Sequence, residues 1–168
     1  MIPFRNTSEF SILSLPSHTW NRAFLPHSFP EWGMALAHCA GCFVCAGGGF
    51  YHNTTSSVFK FHSCGSFFPL KSMPQPKALF PLVYSGFALT TIGGYRKSFL
   101  QEVTQMDLER ERWNYLPNID HPQDGVAACL ISGTFLYAFG GYPQGNSRSG
   151  IQLLNFQKLE QKWGCLFC

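Results

Sequence analysis

Apolar runs that end at paired glycines recur along this 168-residue chain at a nearly fixed spacing. The three copies span 42–48, 87–94 and 135–141. The first glycine of each pair lies at 47, 93 and 140, so the spacing is 46 and then 47 residues. A fixed period of this length is typical of repeat proteins, in which each repeat is one supersecondary unit that stacks on its neighbours.

Bulky aromatic residues recur at a similar spacing, of 47, 46 and then 50 residues, and 26 or 27 residues separate each of the first three from the next glycine pair. We predict that the aromatic ring fills the gap between successive sheets. The glycines permit positive φ and a close approach of two backbones. The repeat signature is Gly47, Gly48, Gly93, Gly94, Gly140 and Gly141 with Trp20, Phe67, Trp113 and Trp163. The leucines expected to cover the same seam as the aromatics are Leu70, Leu116 and Leu166.

The spacing of apolar runs and turn residues divides the chain into units. Residues 1–8 are an N-terminal extension, and 9–25 are predicted as two strands around the turn at 16–19. Three complete units follow, at about 33–72, 78–117 and 125–168. Each unit has room for four short strands. Because no segment has a sustained helical period, the sequence predicts an all-β protein of stacked, four-stranded antiparallel sheets.

The order of residues in the second unit resembles the kelch repeat. Ile92-Gly-Gly is followed by Val103, then by Trp113 and by Leu116. The other two units match in outline, with Phe67 in place of the usual Trp, and the resemblance extends from about residue 9 to residue 168. The resemblance implies a kelch-type β-propeller with one four-stranded blade per repeat. It also implies a non-enzymatic scaffold or adaptor that binds a protein partner.

The number of repeats is too small for a closed ring. Propellers typically have 4–8 blades, whereas this sequence has three repeats and a half blade at 9–25. We therefore expect an open arc of three blades plus a half blade. Three explanations stay open: a fragment of a longer propeller, self-association with another copy that completes the ring, or a truncated product without an independent role.

Composition excludes several classes of function. The chain is 45% hydrophobic and 12% charged, which favours a buried core over disorder. Its net charge of +3 comes from scattered Lys and Arg, so no nucleic-acid interface is predicted. The uncharged segments 33–59, 78–95 and 125–147 contain turn residues, which favours strand hairpins over membrane helices. No signal peptide is recognisable at the N-terminus, and a cytoplasmic location is expected.

The seven cysteines do not predict a disulfide framework, because their number is odd and their spacings suggest no pairs. Reduced thiols in a cytosolic protein are the simpler interpretation. Cys39, Cys42 and Cys45 have the spacing of a zinc motif. However, Cys42 and Cys45 are three residues apart on one predicted strand and therefore face opposite sides. We predict buried structural cysteines, with no metal and no cofactor.

A copper-radical oxidase is the alternative from another class, because a galactose-oxidase-like enzyme also contains a kelch propeller. Such a site needs a cross-linked Tyr–Cys pair, a second Tyr and His ligands from different blades. The tyrosines and histidines of this sequence follow no such arrangement. No catalytic residue is predicted.

The loops on one rim are the candidate site, because loops after the glycine pairs and loops joining successive repeats share one end of the sheets. The turn into the next repeat contains Pro76-Lys77 in one case and Gln123-Asp124 in another. Aromatic and arginine side chains are common anchors of protein interfaces. The predicted partner-binding residues are Tyr51, His52, Lys77, Tyr95, Arg96, Lys97, Asp124, Tyr142 and Arg148.

Overall fold

The computed structural model describes residues 9–14, 16–24, 32–50, 52–62, 66–143, 150–158 and 162–167. The predicted extension at 1–8 lies outside these residues. Every regular element within them is a strand. The strands are β1 (Glu9–Ser14), β2 (Thr19–Phe24), β3 (Ala35–Cys39), β4 (Cys42–Ala46), β5 (Val58–His62), β6 (Phe67–Leu70), β7 (Leu82–Tyr84), β8 (Ala88–Ile92), β9 (Tyr95–Arg96), β10 (Ser98–Phe99), β11 (Val103–Asp107), β12 (Arg112–Leu116), β13 (Gln123–Asp124), β14 (Ala127–Ile131), β15 (Phe135–Phe139), β16 (Tyr142–Pro143), β17 (Ile151–Asn155) and β18 (Trp163–Phe167).

Twelve of these strands form three four-stranded antiparallel sheets, which we call blades. Blade 1 has the order β3-β4-β5-β6, blade 2 has β7-β8-β11-β12, and blade 3 has β14-β15-β17-β18. The pairs β1-β2, β9-β10 and β13-β16 form small two-stranded sheets. The predicted all-β fold of four-stranded antiparallel blades is confirmed, and the blades do not close into a ring. The two short pairs β9-β10 and β13-β16 were not predicted.

The first strands of the three blades lie beside one another, since β7 contacts both β3 and β14. Apolar side chains fill both seams between blades. Val44 and Val58 of blade 1 pack with Leu89 and Met106 of blade 2. On the other face of blade 2, Ile92 packs in a second cluster with residues of blade 3. Because side chains alternate between the two faces along each strand of blade 2, this blade contributes apolar side chains to both seams.

A tryptophan bridges each seam by packing and by one hydrogen bond. Trp113 of blade 2 packs in the first seam, and its Nε1–H donates to the carbonyl oxygen of Lys71 at 3.0 Å. Trp163 of blade 3 packs in the second seam and donates to the carbonyl oxygen of Pro117 at 2.8 Å. Each indole thus binds the segment that follows the preceding blade. These two residues have the role that the repeat signature predicts.

The other two aromatics of the signature lie elsewhere. Trp20 is 67% exposed, so its ring is not buried between two sheets. Phe67 stacks on Phe61 of its own blade, with ring centroids 5.4 Å apart. The expectation that an aromatic at this position packs between blades is therefore wrong for Trp20.

The leucines do not cover the same seam as the aromatics. Leu116 packs in the second seam, whereas Trp113 packs in the first. The reason is strand geometry, because residues three apart in a strand point to opposite faces. Leu70 packs in the first seam, and Leu166 is largely exposed. The tryptophan therefore faces the preceding blade and the leucine faces the following one.

The glycine pairs tie one blade to the next through the backbone. Gly48 N–H donates to the carbonyl oxygen of Lys77, and Gly94 N–H donates to that of Gln123, both at 2.9 Å. The first glycine of each pair has positive φ, and Gly47 and Gly93 lie against the same two segments, at Lys77 and Gln123. A Cβ added at Gly93 would meet the Gln123 oxygen at 2.6 Å, whereas one added at Gly140 would meet none of the described atoms.

This difference gives a matched pair of substitutions. Both Gly93 and Gly140 have positive φ, of 57° and 60°. Ala at either position carries the strain of about 1–2 kcal/mol for a left-handed residue. Only Gly93→Ala adds the clash with Gln123, so we expect it to be clearly less stable than Gly140→Ala. Urea denaturation of both variants tests this, and equal losses of stability would contradict the contact between blades.

Candidate binding rim

Three residues that precede the first strands of the blades form a backbone chain along one rim. Gly33, Leu79 and Gly125 are spaced by 46 residues and have φ of 63°, 57° and 62°. Leu79 N–H donates to the Gly33 carbonyl oxygen, and Gly125 N–H donates to that of Leu79, both at 2.8 Å. Leu79 adopts a left-handed conformation that leucine ordinarily avoids. The bonds to both neighbouring blades hold it there.

A cavity of about 420 Å³ opens beside this chain, on the rim where the loops after the glycine pairs lie. We call it the aromatic cup. Its side-chain lining is Trp32, Phe50, Ala78, Leu79, Tyr95, Phe99 and Asp124, with backbone from Gly33 and Gly49. The lining comes from the segments before all three blades and from the loops that follow β4 and β8. The cup therefore exists only when the blades stack.

Ring contacts connect the cup to the adjoining rim. Trp32 and Phe50 have centroids 6.1 Å apart, and Tyr95 and Phe99 form an edge contact at 5.7 Å. Phe99 in turn lies 5.8 Å from the ring of Tyr142, which follows blade 3 strand β15. Trp32 and Phe50 are 66% and 62% exposed. Exposed aromatics grouped in this way are typical of binding surfaces.

Among the described residues that line the cup, Asp124 is the one carboxylate. Burial raises the pKa of this carboxyl above its usual value. Among the described residues no lysine or arginine forms an ion pair with it. The cup thus combines aromatic faces with one acidic group that is partly removed from water.

The structure brings together some of the predicted rim residues. Tyr95 and Asp124 line the cup, and Tyr142 lies at its edge. Arg96 is directed to Gln75, because its Nη1 donates to Gln75 Oε1 at 2.9 Å. His52 and Lys97 are exposed and do not line the cup. The predicted residues Tyr51 and Arg148 lie outside the described residues.

Lys77 does not lie on the rim surface, so that prediction is wrong. Its side chain is fully buried, its Nζ lies 3.2 Å from Glu102 Oε1, and it lies 5.2 Å from the ring centroid of Phe80. Burial lowers the pKa of this ammonium, although Glu102 opposes the shift. The prediction treated Lys77 and Asp124 as equivalent positions in successive repeats. The hydrogen bonds from the glycine pairs show that Lys77 is equivalent to Gln123, and a slip of one residue reverses the face.

Sequence reasoning missed five side chains of the cup: Trp32, Phe50, Ala78, Leu79 and Phe99. A signal for one of them was present, because Trp32, Ala78 and Asp124 are spaced by 46 residues. Alignment at that spacing, rather than at 47, would have selected Trp32 together with Asp124. Phe50 follows Gly49, a third glycine after the first pair that the other two pairs lack. Phe99 reaches the cup through the unpredicted pair β9-β10.

A second cavity lies at the opposite end of blade 2. It has a volume of about 690 Å³ and is lined by residues of the β7–β8 and β11–β12 turns, among them Phe87, Asp107 and Arg110. Asp107 already accepts hydrogen bonds from the backbone N–H groups of Glu109 and Arg110 and pairs with the Arg110 side chain. These contacts close the turn internally.

The cysteines of blade 1 are structural. Cys39, Cys42 and Cys45 are buried free thiols, and Cys42 donates to the Cys39 carbonyl oxygen at 2.7 Å. Burial raises the pKa of Cys39 to about 11 and that of Cys45 to about 12. Cys42 and Cys45 belong to different clusters on opposite faces of β4, as predicted. The interpretation of every cysteine as a reduced thiol is wrong for Cys165, which takes part in a disulfide bond.

Within the described ranges, no group of three or more His, Cys, Asp or Glu side chains could hold a metal ion. The same residues include no helix long and apolar enough to cross a membrane.

Comparison with known proteins supports the fold. The solved structure of YjhT matches 87% of this chain with a TM-score of 0.73 and 16% sequence identity. At this identity the likeness concerns the fold alone. The chain spans 54% of the length of that structure. No family model and no curated protein matches the chain.

Proposed function

We propose that this chain is a non-enzymatic protein-interaction module of the kelch-repeat class, a cytoplasmic scaffold or adaptor that binds a protein partner through its rim loops. The observation that carries the proposal is the aromatic cup, where exposed Trp32 and Phe50 lie beside Tyr95, Phe99 and Asp124. Interface anchors are typically aromatic side chains at the centre of a patch. The copper-oxidase alternative needs a Tyr–Cys cross-link and His ligands to a metal. The cysteines of blade 1 are buried free thiols, and no group of three or more His, Cys, Asp or Glu among the described residues could hold a metal ion.

A pair of surface variants tests the role of the rim. Trp32→Ser combined with Phe50→Ser removes two exposed rings of the cup. Because both side chains are exposed, we expect the fold to persist, with a stability change within about 0.5 kcal/mol per site. We expect partner proteins recovered by proximity labelling with the unmodified chain to be lost with this variant. Purified candidates are then measured for direct binding.

Phe87→Ser is the matched control, since Phe87 is 67% exposed but lies at the opposite end of blade 2. It should recover the same partners as the unmodified chain. If the cup variant recovers them equally well, the rim is not the binding surface and the proposal fails.

Self-association is a second part of the proposal, because three blades are too few to close a propeller and blade 3 has an apolar outer face. On blade 3, Tyr137 and Phe139 are stacked at 6.0 Å. An apolar sheet face is stabilised when another sheet covers it, and a second copy supplies such a sheet. Light scattering should show a dimer over a range of concentrations, and a monomer would contradict this part.

A further inference from the structure

The aromatic cup also indicates which chemical group a partner presents. We infer that the cup receives a basic side chain, arginine or lysine, from a protein partner. This inference rests on the proposed function, and it adds the chemistry of the bound residue. It depends on two features of the cup: its aromatic walls and the position of Asp124 among them.

The aromatic walls favour a cation. The faces of Trp, Tyr and Phe attract an ammonium or guanidinium group within about 6 Å of the ring centroid. Four such rings line this cavity: Trp32, Phe50, Tyr95 and Phe99. The ring planes are inclined to one another, by 55° in the first pair and by 80° in the second. Rings at different inclinations form walls around a group inserted between them.

Asp124 decides between a cation and a neutral apolar side chain. An apolar side chain in the cup would remove the Asp124 carboxylate further from water and would leave its charge without a counter-ion, which is unfavourable. An acidic side chain would add repulsion. A guanidinium or ammonium group neutralises the carboxylate and donates hydrogen bonds to it.

None of the described lysines and arginines lines the cup or forms an ion pair with Asp124. Lys77 is paired with Glu102, and Arg96 is bonded to Gln75. Lys97 is exposed in the β9–β10 turn and does not line the cup. The raised pKa of Asp124 agrees with this geometry, because a nearby cation would lower it. No cation among the described residues supplies the complementary charge, and we infer that a ligand does so.

The probes for the test are blocked tripeptides in which the central residue varies. Gly-Arg-Gly and Gly-Lys-Gly carry the cation, whereas Gly-citrulline-Gly keeps the shape of arginine without its charge. Backbone amide shifts of Leu79 and Gly125, which flank the cup, report binding. We expect the two basic peptides to bind with a Kd on the order of millimolar, as suits one side chain. The citrulline peptide should bind about tenfold more weakly, the loss of one charge-assisted contact.

Asp124→Asn keeps the shape of the side chain and removes its charge. It should weaken the binding of the basic peptides about tenfold and leave the binding of the citrulline peptide unchanged. Glu109→Gln, an exposed carboxylate at the opposite end of blade 2, is the control and should change neither. Equal binding of arginine and citrulline peptides, or no effect of Asp124→Asn, would overturn the inference.

Folding of the Asn variant can be checked independently through pH. The folded-state pKa of Asp124 is above its ordinary value of 3.8. Its contribution to stability is therefore fully present below pH 3.8 and is lost as pH rises through the folded pKa. Asp124→Asn should thus be at least as stable as the unmodified chain at pH 7, and a destabilised variant would contradict the account of Asp124.

The two proposals fail differently. If Trp32→Ser with Phe50→Ser abolishes partner recovery and Asp124→Asn does not weaken it, the rim binds a partner. The inference that the partner presents a basic side chain to the cup is then wrong. If neither variant changes recovery, the proposed function fails as well.

Discussion

Trp163→Ala is expected to lower the free energy of unfolding by about 3–5 kcal/mol, the range for a large aromatic removed from a core. Trp163 is 8% exposed and packs with Leu136 and Leu154 in the second seam. The substitution would leave a cavity between blades 2 and 3 and would remove the hydrogen bond to the Pro117 carbonyl oxygen. Since folded domains are stable by about 5–15 kcal/mol, this loss is a large share of the total. Urea denaturation measures it.

Trp20→Ala is the control for that experiment, because the same residue type at the same repeat position is 67% exposed. Its effect should stay within about 0.5 kcal/mol, as for other surface substitutions. Trp163→Phe should give an intermediate loss, since it keeps a ring and loses the donor. Similar effects of the two alanine variants would show that the seam does not depend on Trp163.

Glu102→Ala is the second substitution with a large expected effect. It would leave the Lys77 ammonium buried without its partner, and removal of one member of a buried pair typically lowers stability by about 3–5 kcal/mol. The Lys77 side chain has no exposed surface, and Glu102 has little. Urea denaturation at neutral pH measures the loss.

The pH dependence of this variant identifies the cause. The pKa of Lys77 is below its ordinary 10.5 in the folded protein. Loss of Glu102, which opposes this shift, lowers the folded pKa of Lys77 further, so the stability of the variant begins to rise at a lower pH than that of the unmodified chain. The deficit of Glu102→Ala should therefore shrink as the pH rises from the folded pKa of Lys77 in the variant to that in the unmodified chain.

A double variant, Lys77→Met with Glu102→Leu, removes both charges and should recover most of the stability lost by Glu102→Ala, because an apolar pair can replace a buried ion pair. If the double variant is as unstable as Glu102→Ala, the loss comes from packing and the unpaired ammonium is not its cause.

The strands could be predicted because the same order of apolar runs, glycine pairs and turn residues recurs in each repeat. The expected hairpin at 9–25 is observed as β1 and β2. Glycine pairs and tryptophans also identified the contacts between blades, since a backbone turn with positive φ and a large buried ring leave strong signals in a sequence. Trp113 and Trp163 follow that prediction.

The cup could be predicted only in part. Tyr95 and Asp124 were selected because they lie in rim loops, but a loop sequence does not reveal which side chains meet across blades. Lys77 shows the limit most clearly. A lysine after two prolines has the composition of a surface turn, and only tertiary contact with Glu102 and Phe80 makes burial of its charge tolerable.

The backbone chain through Gly33, Leu79 and Gly125 has a polarity. Each step runs from the N–H of the later repeat to the carbonyl oxygen of the earlier one. Any blade added at the Gly125 end must bring a donor, and any blade added at the Gly33 end must bring an acceptor. Two copies of this chain can therefore extend the series only head to tail, with two identical junctions if they close on each other. If the junction angle does not close, the same rule would build a filament.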